Sequence, residues 1–493
     1  MKSRILHTVM IPALALASVS ARDTKDDGRT LQKPNILFLF ADDMRADALG
    51  CAGNSYIKTP AIDQLAETGV RFTSTYVMGG HHGAICAPSR AMLLSGKSLF
   101  HVYDKLDGVK TMPMHFSESG YVTFGTGKWH NEKSAFEASF QQGKNVFLGG
   151  MADHYQIAVR QMGADGKLTD PEKQGFSTDL FAGAAIGFIH EYAAGDRKNP
   201  FFCYVSFTVP HDPYSPREDY MDRYLPQSLP LPGNFMPLHP FQFDQLNVRD
   251  ENLLEWPRKP DMVRAALADY YGLITHLDDR IGEIIQTLKD RGLYDNTIIV
   301  FAADNGLAIG SHGLLGKQNL YEHSTKVPLI ISGPGIPAGK EKDAFVYLYD
   351  LYPTLAGLCG LPSPVGADGQ SLQEVIAGRS EGVRTSLFTA YRHTVRAVRT
   401  KEWKLIRYPE RNHTQLFKLA DDPLELNNLA NLPDQQSRVK EMTELLVQWQ
   451  TMAGDTAPLT AAKILSMEYD PASIVRKPDT WQPDYTLKKY FGK

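Results

Sequence analysis

A chain of 493 residues, 43% hydrophobic and 22% charged, has the composition of a folded globular protein and the length for more than one domain. Its formal net charge of −4 lacks the basic excess of a nucleic-acid binder, so an anion site must be a local feature. Four cysteines, at 51, 86, 203 and 359, are too few for a disulfide framework in a chain this long.

The amino terminus carries Lys2 and Arg4, an apolar run from Ile5 to Ala17, and small residues at Val19-Ser20-Ala21. That is the pattern of a secretory signal peptide over residues 1–21, cleaved after Ala21, and it predicts a periplasmic or secreted protein. No cysteine follows at once to carry a lipid, and no second long apolar run follows, so no membrane anchor is expected.

Short apolar runs then recur, and each runs into polar chemistry. Asn35 to Phe40 is apolar on both faces, as a buried strand requires, and ends at Ala41-Asp42-Asp43. Cys86-Ala87-Pro88-Ser89-Arg90 opens a helix, with Pro88 in the first turn and Ala91-Met92-Leu93-Leu94 continuing it. Unpaired amides and the dipole at a helix start favour negative charge, and the planar fork of Arg90 suits an oxyanion. Tyr121 to Phe124 leads into Gly125-Thr126-Gly127-Lys128-Trp129-His130, and Phe201 to Phe207 leads into Val209-Pro210-His211-Asp212-Pro213. The stretch 217–260 is rich in proline and aromatics, which suit either packing over a sheet or stacking on sugar rings. Residues 261–291 read as an amphipathic helix, with Val263, Leu267, Tyr270, Leu273, Ile274 and Leu277 at three- and four-residue spacing. Thr297 to Phe301 then leads into Ala302-Ala303-Asp304-Asn305-Gly306.

Strands alternating with helices predict an α/β fold, a large mostly parallel central sheet flanked by helices. Such sheets bind ligands beyond the carboxyl ends of their strands, where all four polar clusters fall. Asp42, Asp43, Asp304 and Asn305 are all-oxygen donors, which suit a hard cation, Ca²⁺ or Mg²⁺, and disfavour zinc.

The Cys86-Ala87-Pro88-Ser89-Arg90 segment closely resembles the signature of the type I sulfatases, in the alkaline phosphatase superfamily. Gly313-Leu314-Leu315-Gly316-Lys317-Gln318-Asn319-Leu320-Tyr321-Glu322 resembles the second signature of that family. The resemblance runs from Pro34 to about Val327. It resumes at the hairpin read over residues 395–406 and at Leu416 to Leu429, which look like the family's small carboxyl-terminal sheet domain. It implies a catalytic domain over 34–375 and a smaller α+β domain, built on an antiparallel sheet, over 385–493. It also implies that Cys86 is converted to formylglycine by a formylglycine-generating or anaerobic maturase enzyme. The hydrate of that group would be the nucleophile, and its oxygen would join Asp42, Asp43, Asp304 and Asn305 around a cation, usually calcium.

The same resemblance distributes the remaining work. Arg90 holds the diol, Lys128 and Lys317 neutralise the sulfate oxygens, His211 protonates the leaving oxygen, and His130 abstracts a proton from the second hydroxyl. An unperturbed imidazole titrates near neutrality, which suits both histidine roles. His81, His82, His312, Arg392 and His393 have weaker claims to touch substrate. The expected reaction is removal of sulfate from a sulfated carbohydrate, with a sulfated saccharide as partner. The rivals are an aryl sulfatase or a phosphonate or phosphodiester hydrolase on the same scaffold, or a non-catalytic sulfated-glycan binder.

Overall fold

The computed structural model describes residues 33–471 and 477–492; the leader read at residues 1–21 lies outside them. Eight strands form the main path of a large sheet: β1 (Asn35–Ala41), β2 (Gly69–Tyr76), β3 (Val122–Lys128), β4 (Gln142–Phe147), β5 (Phe201–Ser206), β6 (Thr297–Ala303), β7 (Lys326–Ser332) and β8 (Lys340–Lys342). Their order is β8-β2-β7-β6-β1-β5-β3-β4, with Val346–Tyr347 also pairing with β2. Strand β1, apolar on both faces, is buried throughout at the centre, where Phe38 lies opposite Tyr204 of β5 and Val300 of β6. β1, β3, β4, β5 and β6 are mutually parallel, while β7 runs antiparallel to β6 and β2. The carboxyl ends of β1, β3, β5 and β6 therefore open on one edge.

Strand β3 is longer than its apolar residues suggest. Gly125, Thr126 and Gly127 pair with Tyr204, Val205 and Ser206, so Lys128 ends the strand itself and not a loop beyond it. Gly127 has φ +89°, and a Cβ there would lie 1.8 Å from the Ser206 carbonyl oxygen. Only glycine allows that approach, and a glycine pair in sequence reads as a loop.

Helices Ser177–Ala194 and Pro260–Asp290 pack on each other. The apolar residues expected along the longer helix are all buried, and Pro260 occupies its first turn. Its Asp278 carboxylate accepts the backbone N–H groups of Ala61 and Ile62 at 3.0 and 2.8 Å, tying in the start of helix Pro60–Glu67.

The second sheet contains the hairpin expected at 395–406. Its antiparallel strands run in the order His413–Lys418, Trp403–Tyr408, Val395–Arg399, Leu387–Tyr391, and helix Gln436–Ala453 packs against it. The two-residue strand Gly79–Gly80 adds to Leu387–Tyr391 in parallel, fastening the chain just ahead of Cys86 to this sheet. Gly79 has φ +109°, and a Cβ there would lie 1.9 Å from the Ala390 carbonyl oxygen. All four cysteines are free. Among the described residues no helix is long and apolar enough to cross a membrane.

Candidate active site

The polar clusters at the strand ends meet. Asp43, just past β1, and His130, just past β3, have φ of +62° and +60°, a left-handed conformation uncommon outside glycine. Such conformations concentrate at functional sites, where surrounding packing holds them. Helix Cys86–Ser95 is buried at every residue. The sequence reading expects the first-turn amides to be unpartnered, and this is corrected in part: the Ala87 N–H donates to Ala84 O at 3.1 Å.

Beneath the site lies a network of buried charges. Arg90 is fully buried and donates from Nε to Asp304 Oδ2 at 3.0 Å, while its Nη1 donates to the Lys128 carbonyl oxygen at 2.9 Å and to Ser206 Oγ. Ser89 Oγ donates to the Asp304 carbonyl oxygen at 2.7 Å, and the Asp43 N–H donates to Asp304 Oδ1 at 3.0 Å. The Lys128 ammonium lies 2.5 Å from Asp42 Oδ2. The Lys317 ammonium reaches both Asp43 oxygens, at 2.7 and 2.6 Å, and Cys86 Sγ at 2.8 Å. Every charge in the network has an opposite partner, the condition under which burial is tolerable.

Burial pushes the Asp42 carboxyl up to about 6, and the Asp304 charge adds to this against Lys128 and Arg90. Burial also raises Asp43 well above the usual range, with Lys317 opposing it. For Asp304 burial acts in the same sense, but Arg90, Lys128 and Lys317 outweigh it and hold the carboxyl low. The Cys86 thiol is pushed well above its ordinary value by burial and by the three carboxylates. Held protonated in this way, the unmodified thiol is unsuited to nucleophilic attack.

A cavity of about 490 Å³ opens above this network. Cys86, His130, His211 and Lys317 line it, whereas Asp42, Asp43, Arg90, Lys128 and Asp304 lie beneath its wall. His211 Nε2 is 3.6 Å from Asp43 Oδ2, and its Nδ1 is 3.2 Å from Asp212 Oδ1 and 2.9 Å from the Asp212 carbonyl oxygen. The near-neutral titration expected for the two histidines is corrected by their surroundings. Burial lowers both imidazoles well below the ordinary value, assisted by Lys128 and Arg90 at His130 and by Lys317 at His211.

The donor set fits a hard cation. Asp42 Oδ1 is a buried carboxylate oxygen with no hydrogen-bond partner among the described residues. Ligand atoms of Asp42, Asp43, Cys86 and His211 lie within 4.8 Å of one another. His211 belongs to that cluster although the sequence assigned it another role, and Asp304, expected as a ligand, faces Arg90 and the Asp43 amide.

The lesser candidates separate. His312 stacks on Tyr321 with ring centroids 4.0 Å apart and faces the Glu425 carbonyl oxygen at 3.0 Å, a packing role. His81 faces the Leu99 carbonyl oxygen, His82 pairs with Asp104 and His393 lies 3.9 Å from Glu410. Of this group only Arg392 lines the cavity. The aromatics of 217–260 pack: Tyr220 stacks on His276 and Trp256 on Tyr469, and Phe241 and Phe243 meet Tyr408 edge to face. The same stretch nonetheless sends Arg249 and Asp250 to the cavity, and Trp481 arrives from the carboxyl-terminal segment. Sequence reasoning missed these three, along with Asp212, which it quoted beside His211 without a role. The adjacency of His211 and Asp212 was the one available signal.

Comparison with known proteins agrees with this geometry. The family model described as "Sulfatase" matches residues 34–361, and a second, "N-sulphoglucosamine sulphohydrolase, C-terminal", matches 310–452. An arylsulfatase of Clostridium perfringens is 29% identical over 84% of this chain and 94% of its own length. An N-acetylglucosamine-6-O-sulfatase of Bacteroides thetaiotaomicron is 26% identical over 92% of each chain. A solved structure of a protein in complex with its substrate D-glucosamine-2-N,6-O-disulfate superposes with a TM-score of 0.72 at 25% identity, covering 87% of this chain and 99% of that one. With a family model spanning the sheet edge and every residue of the buried network, the chain belongs to the sulfatase family.

Proposed function

We propose that this sulfuric ester hydrolase removes sulfate from sulfated saccharides in the periplasm or outside the cell, with residues 34–375 as catalytic domain and 385–493 as the smaller one. The observation that carries this reading is the placement of Cys86 Sγ in the cavity wall, 2.8 Å from the Lys317 ammonium, with His130 and His211 lining the same cavity. The similar N-acetylglucosamine-6-O-sulfatase and the complex with a disulfated glucosamine support a saccharide over other alcohols.

Asp42, Asp43, Asp304 and Asn305 would hold Ca²⁺ or Mg²⁺, which would supply positive charge to the site, and Cys86 matured to formylglycine would supply a hydrated aldehyde as nucleophile. Everything else falls to the chain's own side chains. Lys317 neutralises a sulfate oxygen from the cavity wall. Lys128 and Arg90 act from beneath, holding Asp42 and Asp304 ionised and in place, a preorganised electrostatic arrangement of the kind that dominates such catalysis. His211 delivers a proton to the departing alcohol oxygen, and His130 takes one at residue 86. An entering sulfate monoester brings a negative charge beside Lys317, which offsets the repulsion of an imidazolium by that ammonium and favours protonated His211.

The test is sulfate release by matured enzyme from a panel of sulfated mono- and disaccharides, beside nitrophenyl sulfate and a phenyl phosphonate ester. Preference for a sulfated sugar supports the reading, and faster turnover of the phosphonate overturns it. Calcium or magnesium at one ion per chain is the expected metal analysis. Amino-terminal sequencing of exported protein should begin at Arg22.

A further inference from the structure

Two side chains at the mouth of the cavity stand outside the buried charge network. Arg392 lines the cavity from the turn between Leu387–Tyr391 and Val395–Arg399, with φ +46° and its N–H bonded to Gly80 O at 2.8 Å. Its guanidinium lies 5.5 Å from the Tyr391 ring centroid, and among the described residues no carboxylate pairs with it. The other guanidinium there, Arg249, is committed to Asp212, Asp250 and Asp479. Among the described residues lining the cavity, Arg392 is therefore the guanidinium without a carboxylate partner.

Trp481 is 76% exposed, an unusual position for an indole, yet its flanks are fixed. The Asp479 carboxylate accepts from Arg249 Nε at 2.9 Å and from the Trp481 N–H at 3.2 Å, and Gln482 Nε2 donates to Asp212 Oδ2 at 2.6 Å. Further on, Lys489 Nζ donates to Asp269 at 2.7 Å, and Tyr490 bonds the same carboxylate. The backbone at Trp481 is thus held at the mouth by partners that also seat Asp212 against His211. It lies beyond residue 452, where the family models end.

An ester whose sulfate rests at Cys86 and Lys317 must direct its alcohol toward that mouth, and about 490 Å³ has room for a sugar ring with its substituents. We infer that Arg392 and Trp481 form a leaving-group subsite that selects saccharides bearing a second anionic group. The indole stacks on the ring face, and the guanidinium pairs with a carboxylate or a further sulfate. This rests on the carbohydrate-sulfatase reading.

The experiment compares matured wild type, Arg392→Ala, Arg392→Lys, Trp481→Ala and Trp481→Phe. The substrates are N-acetylglucosamine-6-O-sulfate, D-glucosamine-2-N,6-O-disulfate, a sulfated hexuronic acid and nitrophenyl sulfate. Arg392→Ala should raise KM roughly 10–100-fold on a doubly anionic sugar with kcat nearly unchanged, and leave the singly charged sugar and nitrophenyl sulfate near wild type. Arg392→Lys should recover part of the loss, and whether the second sulfate or the carboxylate responds identifies the anion. Trp481→Ala should raise KM roughly fivefold on every sugar, with recovery by Trp481→Phe. Wild type that cleaves nitrophenyl sulfate but treats all the sugars alike, or Arg392→Ala losses equal on all substrates, overturns the subsite and leaves the sulfatase reading standing. If matured enzyme releases no sulfate at all, the sulfatase reading fails. The subsite is then decided by calorimetric titration of the same sugars into Cys86→Ala protein, with and without Arg392→Ala. Tighter binding of the doubly anionic sugars that depends on Arg392 supports it, and equal binding overturns it.

Discussion

The floor and the mouth of the cavity are built on opposite terms. On the floor, Asp42, Asp43, Arg90, Lys128, Asp304 and Lys317 are buried, and each charge is answered by another at hydrogen-bond or ion-pair distance. At the mouth, Trp481 is exposed and Arg392 has no carboxylate partner among the described residues. A buried network tolerates no unpaired charge, so its members depend on one another and admit little variation. An exposed rim carries no such penalty, and its residues can change without unfolding the protein. On the proposed subsite, the chemistry is thereby separated from the choice of substrate.

The strongest way to break this contrast is at Cys86. Cys86→Ala should abolish turnover, and mass spectrometry of active wild type should show the thiol replaced by an aldehyde at that residue. A fully active variant would remove the floor's central role.

Asp304→Ala comes next, because it leaves the fully buried guanidinium of Arg90 without its closest carboxylate. Breaking a buried pair from one side costs about 3–5 kcal/mol, so denaturation should show a loss of that order together with loss of bound metal and activity. Normal stability and normal metal content would mean that the network is less interdependent than its geometry indicates.

The two histidines sharpen the boundary between floor and mouth. His211→Ala should lose roughly 10²–10⁴-fold on a sulfated sugar, whose alkoxide needs the proton, and far less on nitrophenyl sulfate, whose phenolate leaves unaided. His130→Ala should lose similar factors on both, since its proton comes from residue 86 and not from the leaving group. The reverse pattern would exchange the two roles.

The smallest effect is expected at Asp212, which joins the regions through His211, Arg249 and Gln482. Its negative charge raises the His211 pKa against burial and Lys317. Asp212→Asn removes that support, so protonated His211 should be lost at lower pH, moving the alkaline limb of the rate profile on a sugar substrate by about one unit toward acid. An unmoved profile would show that Asp212 serves the tail alone.

Much of the floor was legible because chemistry and local structure coincide there. Short apolar runs such as Ile36 to Phe40 suit buried strands, and the residues just past them fall at the sheet edge wherever the strands are parallel. Asp42, Asp43, His130, His211 and Asp304 were found by that logic. The mouth was not legible, because its residues have no common local signal. Arg249 lies 37 residues from Asp212 and Gln482 lies 270 away, and an arginine in a proline-rich stretch reads as a solvated charge until its partner is known.

The sequence by itself determined the fold class, the buried strands, the amphipathic helix after Pro260 and the polar side chains just past the strand ends, because hydrophobic period is a local property of the chain and strands alternating with helices imply parallel pairing. Only the tertiary structure decided which of those side chains face the cavity and which lie beneath it, that both histidines are pushed toward the neutral form, and that Gly79–Gly80 joins the second sheet. It also decided that Trp481 returns to the mouth through Asp479 and Gln482. Burial, the field of neighbouring charges and contacts between distant segments are sums over the folded molecule, and no window of sequence contains them.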